Sequence, residues 1–260
     1  CKDGKFPELD LNQYGIVVID ENHRVGADKF QNAMWRLPSL LRLGLTATPY
    51  RSDKKDPVFF AHIGPVLVSS EAVTVPFRAF VYDTGVVVPE RIKHTFANSR
   101  YLMSWLSKLS KRNELIAQKI VSAYKRGHQC IVLSDFLDHL KLLIKLTYPH
   151  IPTDDMSLYV GGLSKSQRDL AKTKRVIFAT YKMCYEGTDI PGASVGILTL
   201  PRANIEQIAG RVLRTHVDKK EAFVVDFKDS GSQVLTAFTG KRIKFYQQRA
   251  TNIQIIEGQL

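Results

Sequence analysis

Two adjacent carboxylates are the first candidates for chemistry in this chain. Asp20 and Glu21 follow the apolar run Gly15-Ile16-Val17-Val18-Ile19 and precede Asn22-His23. Such a run reads as a buried strand, and in parallel α/β sheets ligands collect just beyond the carboxyl ends of strands. Acids placed there would let Asp20 hold Mg²⁺ through water and Glu21 orient or deprotonate an attacking water. A strand leading into a solvated polar turn is the plainer alternative. A second apolar run ends in Thr46-Ala47-Thr48-Pro49. The proline stops the strand, and the hydroxyls of Thr46 and Thr48 can bond nearby acids without adding charge. A capped turn would look the same. Thr180 closes a third apolar run and is followed by Glu186-Gly187-Thr188-Asp189. Gly187 permits close backbone approach, Asp189 could accept from a ribose hydroxyl, and Thr180 could bond a phosphate. An ordinary turn before Ile190-Pro191 competes with that reading.

The fourth candidate is the stretch from Asn204 to Arg214. Wound as a helix at 100° per residue, it places Gln207, Arg211 and Arg214 within roughly 60° of one another. Ile205, Ile208 and Val212 fall on a second stripe roughly 125° away by the same geometry, so the helix can pack while both arginines project together. Two guanidiniums on one face suit a γ-phosphate and its developing charge. A solvated basic face competes, although Gly210 within the helix hints at close packing.

These residues need elements to position them. Short apolar runs at Gly15–Ile19, Leu43–Thr46, Phe77–Tyr82, Cys130–Ser134, Ser157–Val160, Val176–Thr180, Val195–Leu200 and Ala222–Phe227 read as strands covered on both faces. Helical patterns lie between the later ones. Asn113–Arg126 carries Ile116, Ile120 and Tyr124 on one face and stops at Gly127, a natural C-cap. Ser164-Lys165-Ser166-Gln167 has the spacing of a capping box. A polar-basic helix is expected over Met103–Arg112. The alternation predicts an α/β fold built on parallel sheets. Two blocks are expected: residues 1–75, with two strands, and residues 76–247, with the others. Residues 248–260 read as a C-terminal tail with a short strand at Ile253–Ile256.

Composition narrows the function classes. Of 260 residues, 44% are hydrophobic and 24% charged, the balance of an ordinary globular chain. No apolar run reaches the length of a membrane helix, and no signal-peptide core opens the sequence. The three cysteines, Cys1, Cys130 and Cys184, have no short spacing, which argues against a zinc site or a disulfide scaffold and for a reducing compartment. Lys+Arg outnumber Asp+Glu by 37 to 25, a net charge of +12 that favours a polyanionic partner.

Taken in order, these four constellations resemble the motifs of superfamily 2 helicases and translocases of the DEAD/DEAH-like type. Asp20-Glu21-Asn22-His23 matches motif II and Thr46-Ala47-Thr48 motif III. Thr180 with Glu186–Asp189 matches motif V, and Gln207–Arg214 matches the Gln-x-x-Gly-Arg-x-x-Arg of motif VI. The stretches His23–Ala27, Arg42–Arg51 and Ile131–Asp135 are similar to phage- and poxvirus-type helicases. The resemblance implies RecA-like parallel sheets: the end of a first RecA-like domain and a complete second one. It implies ATP and Mg²⁺ as cofactors and nucleic acid as partner, DNA before RNA. It implies that Asp20 coordinates Mg²⁺, Glu21 is the catalytic base, and His23 couples hydrolysis to the second domain through Gln207 or the threonines. Thr46 and Thr48 would link nucleotide state to strand binding. Gly187 and Asp189 would sit at the nucleotide, Arg211 and Arg214 would clamp the γ-phosphate, and Ser134 and Thr180 would face the nucleic-acid backbone. Asn22 departs from the Ala, Val or Cys usual at its position.

The phosphate-cradling Gly-x-x-x-x-Gly-Lys-[Ser/Thr] loop occurs nowhere in the chain, which begins Cys1-Lys2-Asp3. The expectation is therefore a piece of a longer motor, inactive alone, whose Walker A half comes from the rest of its polypeptide or from a separate chain. A non-catalytic nucleic-acid clamp and the motor part of a restriction or remodelling translocase are the rival readings. The expected setting is cytoplasmic or beside nucleoid DNA, with no membrane, in a chain of viral or phage origin.

Overall fold

The computed structural model describes residues 13–22, 25, 28–46, 56–69, 76–90, 99–185, 190, 192–203, 205 and 221–257. The chain divides into two compact units, residues 1–72 and 73–260.

In the first unit, β1 (Ile16–Asp20) and β2 (Leu41–Leu45) pair in parallel, with Asp20 opposite Leu45. Between them lies α1 (Asp28–Met34), and after them α2 (Asp56–Ile63). The β-branched and leucine side chains alternate across the pleat, so each strand offers two apolar faces. Ile19 packs with Val25, Met34, Leu37, Phe60 and Ile63 on one face. On the other, Ile16, Val18, Leu41, Leu43 and Leu45 stay between 41% and 64% exposed. Parallel sheets are ordinarily covered on both sides; among the described residues, nothing covers this one.

The second unit is a seven-stranded sheet of order β5-β6-β4-β7-β8-β3-β9. Its strands are β3 (Phe77–Val87), β4 (Cys130–Ser134), β5 (Met156–Tyr159), β6 (Val176–Thr180), β7 (Val195–Leu198), β8 (Ala222–Ser230) and β9 (Asn252–Ile256), and every pairing is parallel. Alternate residues of one strand feed opposite layers. Ile131 and Leu133 of β4 join a core with α3 (Ser99–Leu106) and α8 (Gln233–Arg249). Cys130 and Val132 join another with α4 (Ser110–Lys125) and α5 (Leu137–Thr147). The result is the expected α/β arrangement, a parallel sheet sandwiched by helices. Two short helices, α6 (Lys165–Lys172) and α7 (Tyr181–Tyr185), follow β5 and β6.

Local signals survive folding. Gly127 takes φ +87 just past α4, and its N–H and that of His128 donate to the carbonyls of Tyr124 and Ala123, the double bond of a Schellman ending. Ser164 and Gln167 exchange both capping-box bonds at the start of α6. Two expectations need correction. The helix read over Met103–Arg112 straddles a break between α3 and α4. There the Ser107 hydroxyl donates back to the Ser104 carbonyl while Asn113 Nδ2 donates to the Ser107 carbonyl. Side-chain competition of this kind ends the first helix. The tail strand, in turn, is no appendage. β9 pairs with β3 from Arg78↔Asn252 to Tyr82↔Ile256, so it is the sheet's edge strand. Among the described residues no helix is long and apolar enough to cross a membrane.

Candidate functional site

In the first unit the pairing register builds the acidic edge. Because Asp20 lies opposite Leu45, Glu21 and Thr46 leave the sheet side by side, each one residue past its strand. The acids of β1 and the first threonine after β2 thus share one edge. Glu21 adopts φ 51, a left-handed conformation that costs a non-glycine residue about 1–3 kcal/mol and concentrates at functional sites. Its N–H donates to Asp20 Oδ1 at 2.9 Å. That bond orients the Asp20 carboxylate, and Oδ2 has no partner among the described residues. An exposed, oriented carboxylate fits a cation held through water.

The turn is fixed from behind. Opposite Ile19 sits Gly44, and in the space a side chain would fill lies the buried Asn22 amide. A Cβ on Gly44 would meet Asn22 Nδ2 at 2.1 Å and Ile63 Cγ2 at 3.0 Å. Asn22, the one departure from the expected motif, is therefore accommodated by a glycine on the neighbouring strand. Arg42 ties β2 to its surroundings, donating to the carbonyls of Leu37 at 3.0 Å and His62 at 3.4 Å.

In the second unit Ser134 and Thr180 are register partners, so the ends of β4 and β6 also lie side by side. Their side chains differ. Thr180 is half-buried, while Ser134 is fully buried. The Ser134 hydroxyl is 2.9 Å from His139 Nδ1 and accepts from the Phe136 N–H. Its expected contact with a nucleic-acid backbone is corrected accordingly: the hydroxyl is spent inside the domain. On the far side of the ring, His139 Nε2 lies 2.9 Å from Asn113 Oδ1, whose amide group donates to Ser107. Since Asn113 Oδ1 can only accept, Nε2 carries the proton and Nδ1 accepts from Ser134. Burial, with help from the Arg112 charge, pushes His139 down to about 3 and keeps it neutral. The polar residue that does emerge at this end of β4 is Asp135, paired with Arg202.

Gly187 and Asp189, with His23, Thr48, Gln207, Arg211 and Arg214, lie outside the described residues. One cationic feature escaped the sequence reading. Past β5, a cavity of about 480 Å³ is lined by Gly161, Gly162, Lys165, Arg168 and Lys172, with Asp169, which pairs with Lys172, as its carboxylate. Gly162 takes φ +88, and a Cβ at either glycine would meet open space. Gly-Gly ahead of a capping box, with basic residues at helical spacing, was the available signal. Among the described residues no cluster of three or more His, Cys, Asp or Glu could hold a metal.

Residues 4–51 match the family model described as "Type III restriction enzyme, res subunit". The chain is 28% identical over 255 residues to "Putative ATP-dependent RNA helicase L396" of Acanthamoeba polyphaga mimivirus, covering 94% of this chain and 49% of that one. Among solved structures, T4 UvsW superposes with a TM-score of 0.56 at 18% identity over 99% of this chain and 56% of its own. The helicase MrfA, bound to DNA and AMPPNP, does so with a TM-score of 0.61 at 16% identity over 94% of this chain and 35% of its own. The chain spans about half the length of the curated relatives it matches.

Proposed function

We propose that this polypeptide is a superfamily 2 helicase chain, a reading supported by its likeness to the mimivirus relative and by the family-model match, and that it works as part of an ATP-driven motor that moves along or unwinds nucleic acid. The observation that carries the proposal is the pairing of β1 with β2, which sets Asp20, Glu21 and Thr46 on one sheet edge. In this reading Asp20 holds Mg²⁺ through water; the ion, when bound, offsets charge on the phosphates and their leaving group. Glu21 orients the attacking water and takes its proton at the carboxylate. His23 and Thr48 carry the state of the acids onward with Thr46. By the same resemblance Asp189 would accept from the ribose, Gly187 would let the backbone approach, Arg211 and Arg214 would neutralise charge growing on the γ-phosphate, and Gln207 would take up the coupling from His23.

The triphosphate also needs a cradle of backbone N–H groups, and this sequence holds no Gly-x-x-x-x-Gly-Lys-[Ser/Thr] loop. The bare apolar face of β1 and β2 supports the view that further α/β structure joins the first unit and brings that loop. Thr180 and the basic cavity beside Gly162 contact strand phosphates, in keeping with a +12 chain. The mimivirus relative is named for RNA and MrfA was solved on DNA; competition between matched DNA and RNA oligonucleotides decides which this chain prefers.

The test is nucleic-acid-stimulated ATP hydrolysis by the full-length protein. Glu21→Gln and Arg211→Ala should each lower kcat by roughly 10²-fold or more while oligonucleotide affinity stays within about threefold. Unchanged turnover in either variant would remove that residue from the chemistry, and unchanged turnover in both would end the motor reading.

A further inference from the structure

We propose that the sheet face at the β8-β3-β9 edge is a platform for single-stranded nucleic acid, where bases stack on Phe80, Tyr82 and Phe223 and the cations beside these rings take the phosphates. The proposal rests on the reading that this chain binds nucleic acid, and it names a second place of contact. β9 and the basic cavity past β5 lie at opposite edges of the sheet. β3 divides its side chains by face. Phe77, Ala79 and Val81 are at most 2% exposed and enter the core with α3 and α8. On the other face Arg78, Phe80 and Tyr82 are only half-buried, as is Phe223, the register partner of Arg78 on β8. Asn252 and Gln254 of β9 stand opposite Arg78 and Phe80, and both are exposed. A parallel sheet ordinarily carries a layer on each side, so three aromatic rings left partly in water call for a covering partner.

The rings form a connected group. Phe80 and Phe223 have centroids 6.1 Å apart, Tyr82 and the buried Phe227 also 6.1 Å, and His128 meets Phe223 edge-on at 5.1 Å. Cations stand at their margins. Lys119 Nζ lies 4.1 Å from the Tyr82 centroid, and the Arg78 guanidinium 5.1 Å from that of Phe223. Arg126, just past α4, is exposed, and its charge acts on both Tyr82 and His128. Two carboxylates share the neighbourhood: Glu221 pairs with Arg78 at 2.6 Å and Asp83 with Lys228 at 2.7 Å. Each is matched by its own cation, so Lys119 and Arg126 leave the face positive.

Rings bordered by cations suit one kind of polyanion. An acidic peptide would engage the charges and leave the aromatic faces unused. A duplex keeps its bases stacked within itself and offers only its backbone. A single strand uses both, because every base has a π-face for a ring and every linkage a phosphate for a cation. Sheet faces that carry aromatic residues bind single strands in this way. Stacking reads neither the base sequence nor the sugar closely, so the platform supplies grip rather than specificity.

The test compares two strands on the 260-residue chain: an oligothymidylate and an abasic oligonucleotide of equal length, which hold the phosphates constant and differ only in the bases. Lys165→Ala with Arg168→Ala removes the share of the other cavity and serves as the background. There the oligothymidylate should bind more tightly than the abasic strand by about tenfold or more. Phe80→Leu and Tyr82→Leu keep apolar bulk at the sheet; each should weaken the oligothymidylate by about 5- to 150-fold and leave the abasic strand within about twofold. Lys119→Gln with Arg126→Gln should weaken both strands and reduce the salt slope by about 1.4. Photocrosslinking of a strand carrying 5-iodouracil should place adducts within residues 78–82 or at Phe223. Equal affinity for the two strands, leucine variants that bind like the parent, or adducts confined to other residues would each overturn the proposal. Polyglutamate that competes as well as the oligothymidylate, charge for charge, would also overturn it and assign the face to an acidic peptide. Failure of the unaltered chain to bind either strand would defeat the nucleic-acid reading and the platform together, whereas binding that ignores these residues defeats the platform alone.

Discussion

A buried histidine shows how one residue contributes to the pH behaviour of its domain. His139 lies between Ser134 and Asn113, and burial beside Arg112 holds it neutral with a pKa of about 3. In the unfolded chain a histidine titrates near 6.5. Below that value the unfolded state binds a proton that the folded state refuses, so stability falls as the pH drops from about 6.5 toward 3. Above 6.5 this residue adds no slope. The loss approaches about 1.4 kcal/mol per pH unit well inside the window. Urea unfolding of the second unit at pH 7.5, 6.5, 5.5 and 4.5 should show the midpoint falling, and His139→Gln should flatten the decline relative to the parent chain. Burial lowers His128 in the same direction, and its share remains in the variant. A parent and variant that decline in parallel would show that His139 is not the titrating group. Ser134 is likewise fully buried, out of reach of any partner at the surface, a consequence that spacing alone could not reveal.

At the scale of elements, the contact between β1 and β2 depends on an absent side chain. Gly44 gives its space to Asn22, and the left-handed backbone of Glu21 lies between that amide and Asp20. Gly44→Ala would drive Asn22 from its buried position. The cost should be about 1–3 kcal/mol, the usual penalty for overpacking, seen as faster hydrogen exchange across residues 41–45. Adding Asn22→Ala should recover part of the loss, because the clashing amide is then gone. Equal damage in the single and double variants would place the strain elsewhere. β9 makes a complementary point about elements. Its apolar residues read as a strand from sequence, yet only the partnership with β3 makes it part of the domain.

At the scale of the whole molecule, excess positive charge favours a polyanion but does not locate it. Folding brings Lys165, Arg168 and Lys172 around one cavity beside Gly161 and Gly162. If these residues contact strand phosphates, oligonucleotide affinity should fall linearly with salt on logarithmic axes. Each contact to a single strand contributes a slope of about 0.7. Lys165→Ala with Arg168→Ala should therefore shrink the slope by about 1.4 and weaken all sequences alike. An unaltered slope would move the strand to another face.

What the sequence by itself determined is the set of features encoded over a few neighbouring residues. These are the apolar runs that form strands, the capping box at Ser164, the glycine stop at Gly127, and the ordered acids, threonines and arginines that resemble a helicase. Such signals depend on local sterics and on hydrophobic period, which a short window contains. Tertiary structure alone decided which residues meet. Asp20 and Thr46 share an edge because two strands pair in one register. Ser134 turns inward because a histidine five residues later and an asparagine from α4 reach it. Arg202 meets Asp135 and Tyr181 because β7 settles beside β4 rather than elsewhere in the sheet. Most of these partners are distant in the chain, and their meeting follows from strand pairing and from packing side chains on the sheets, conditions imposed by each unit on its parts.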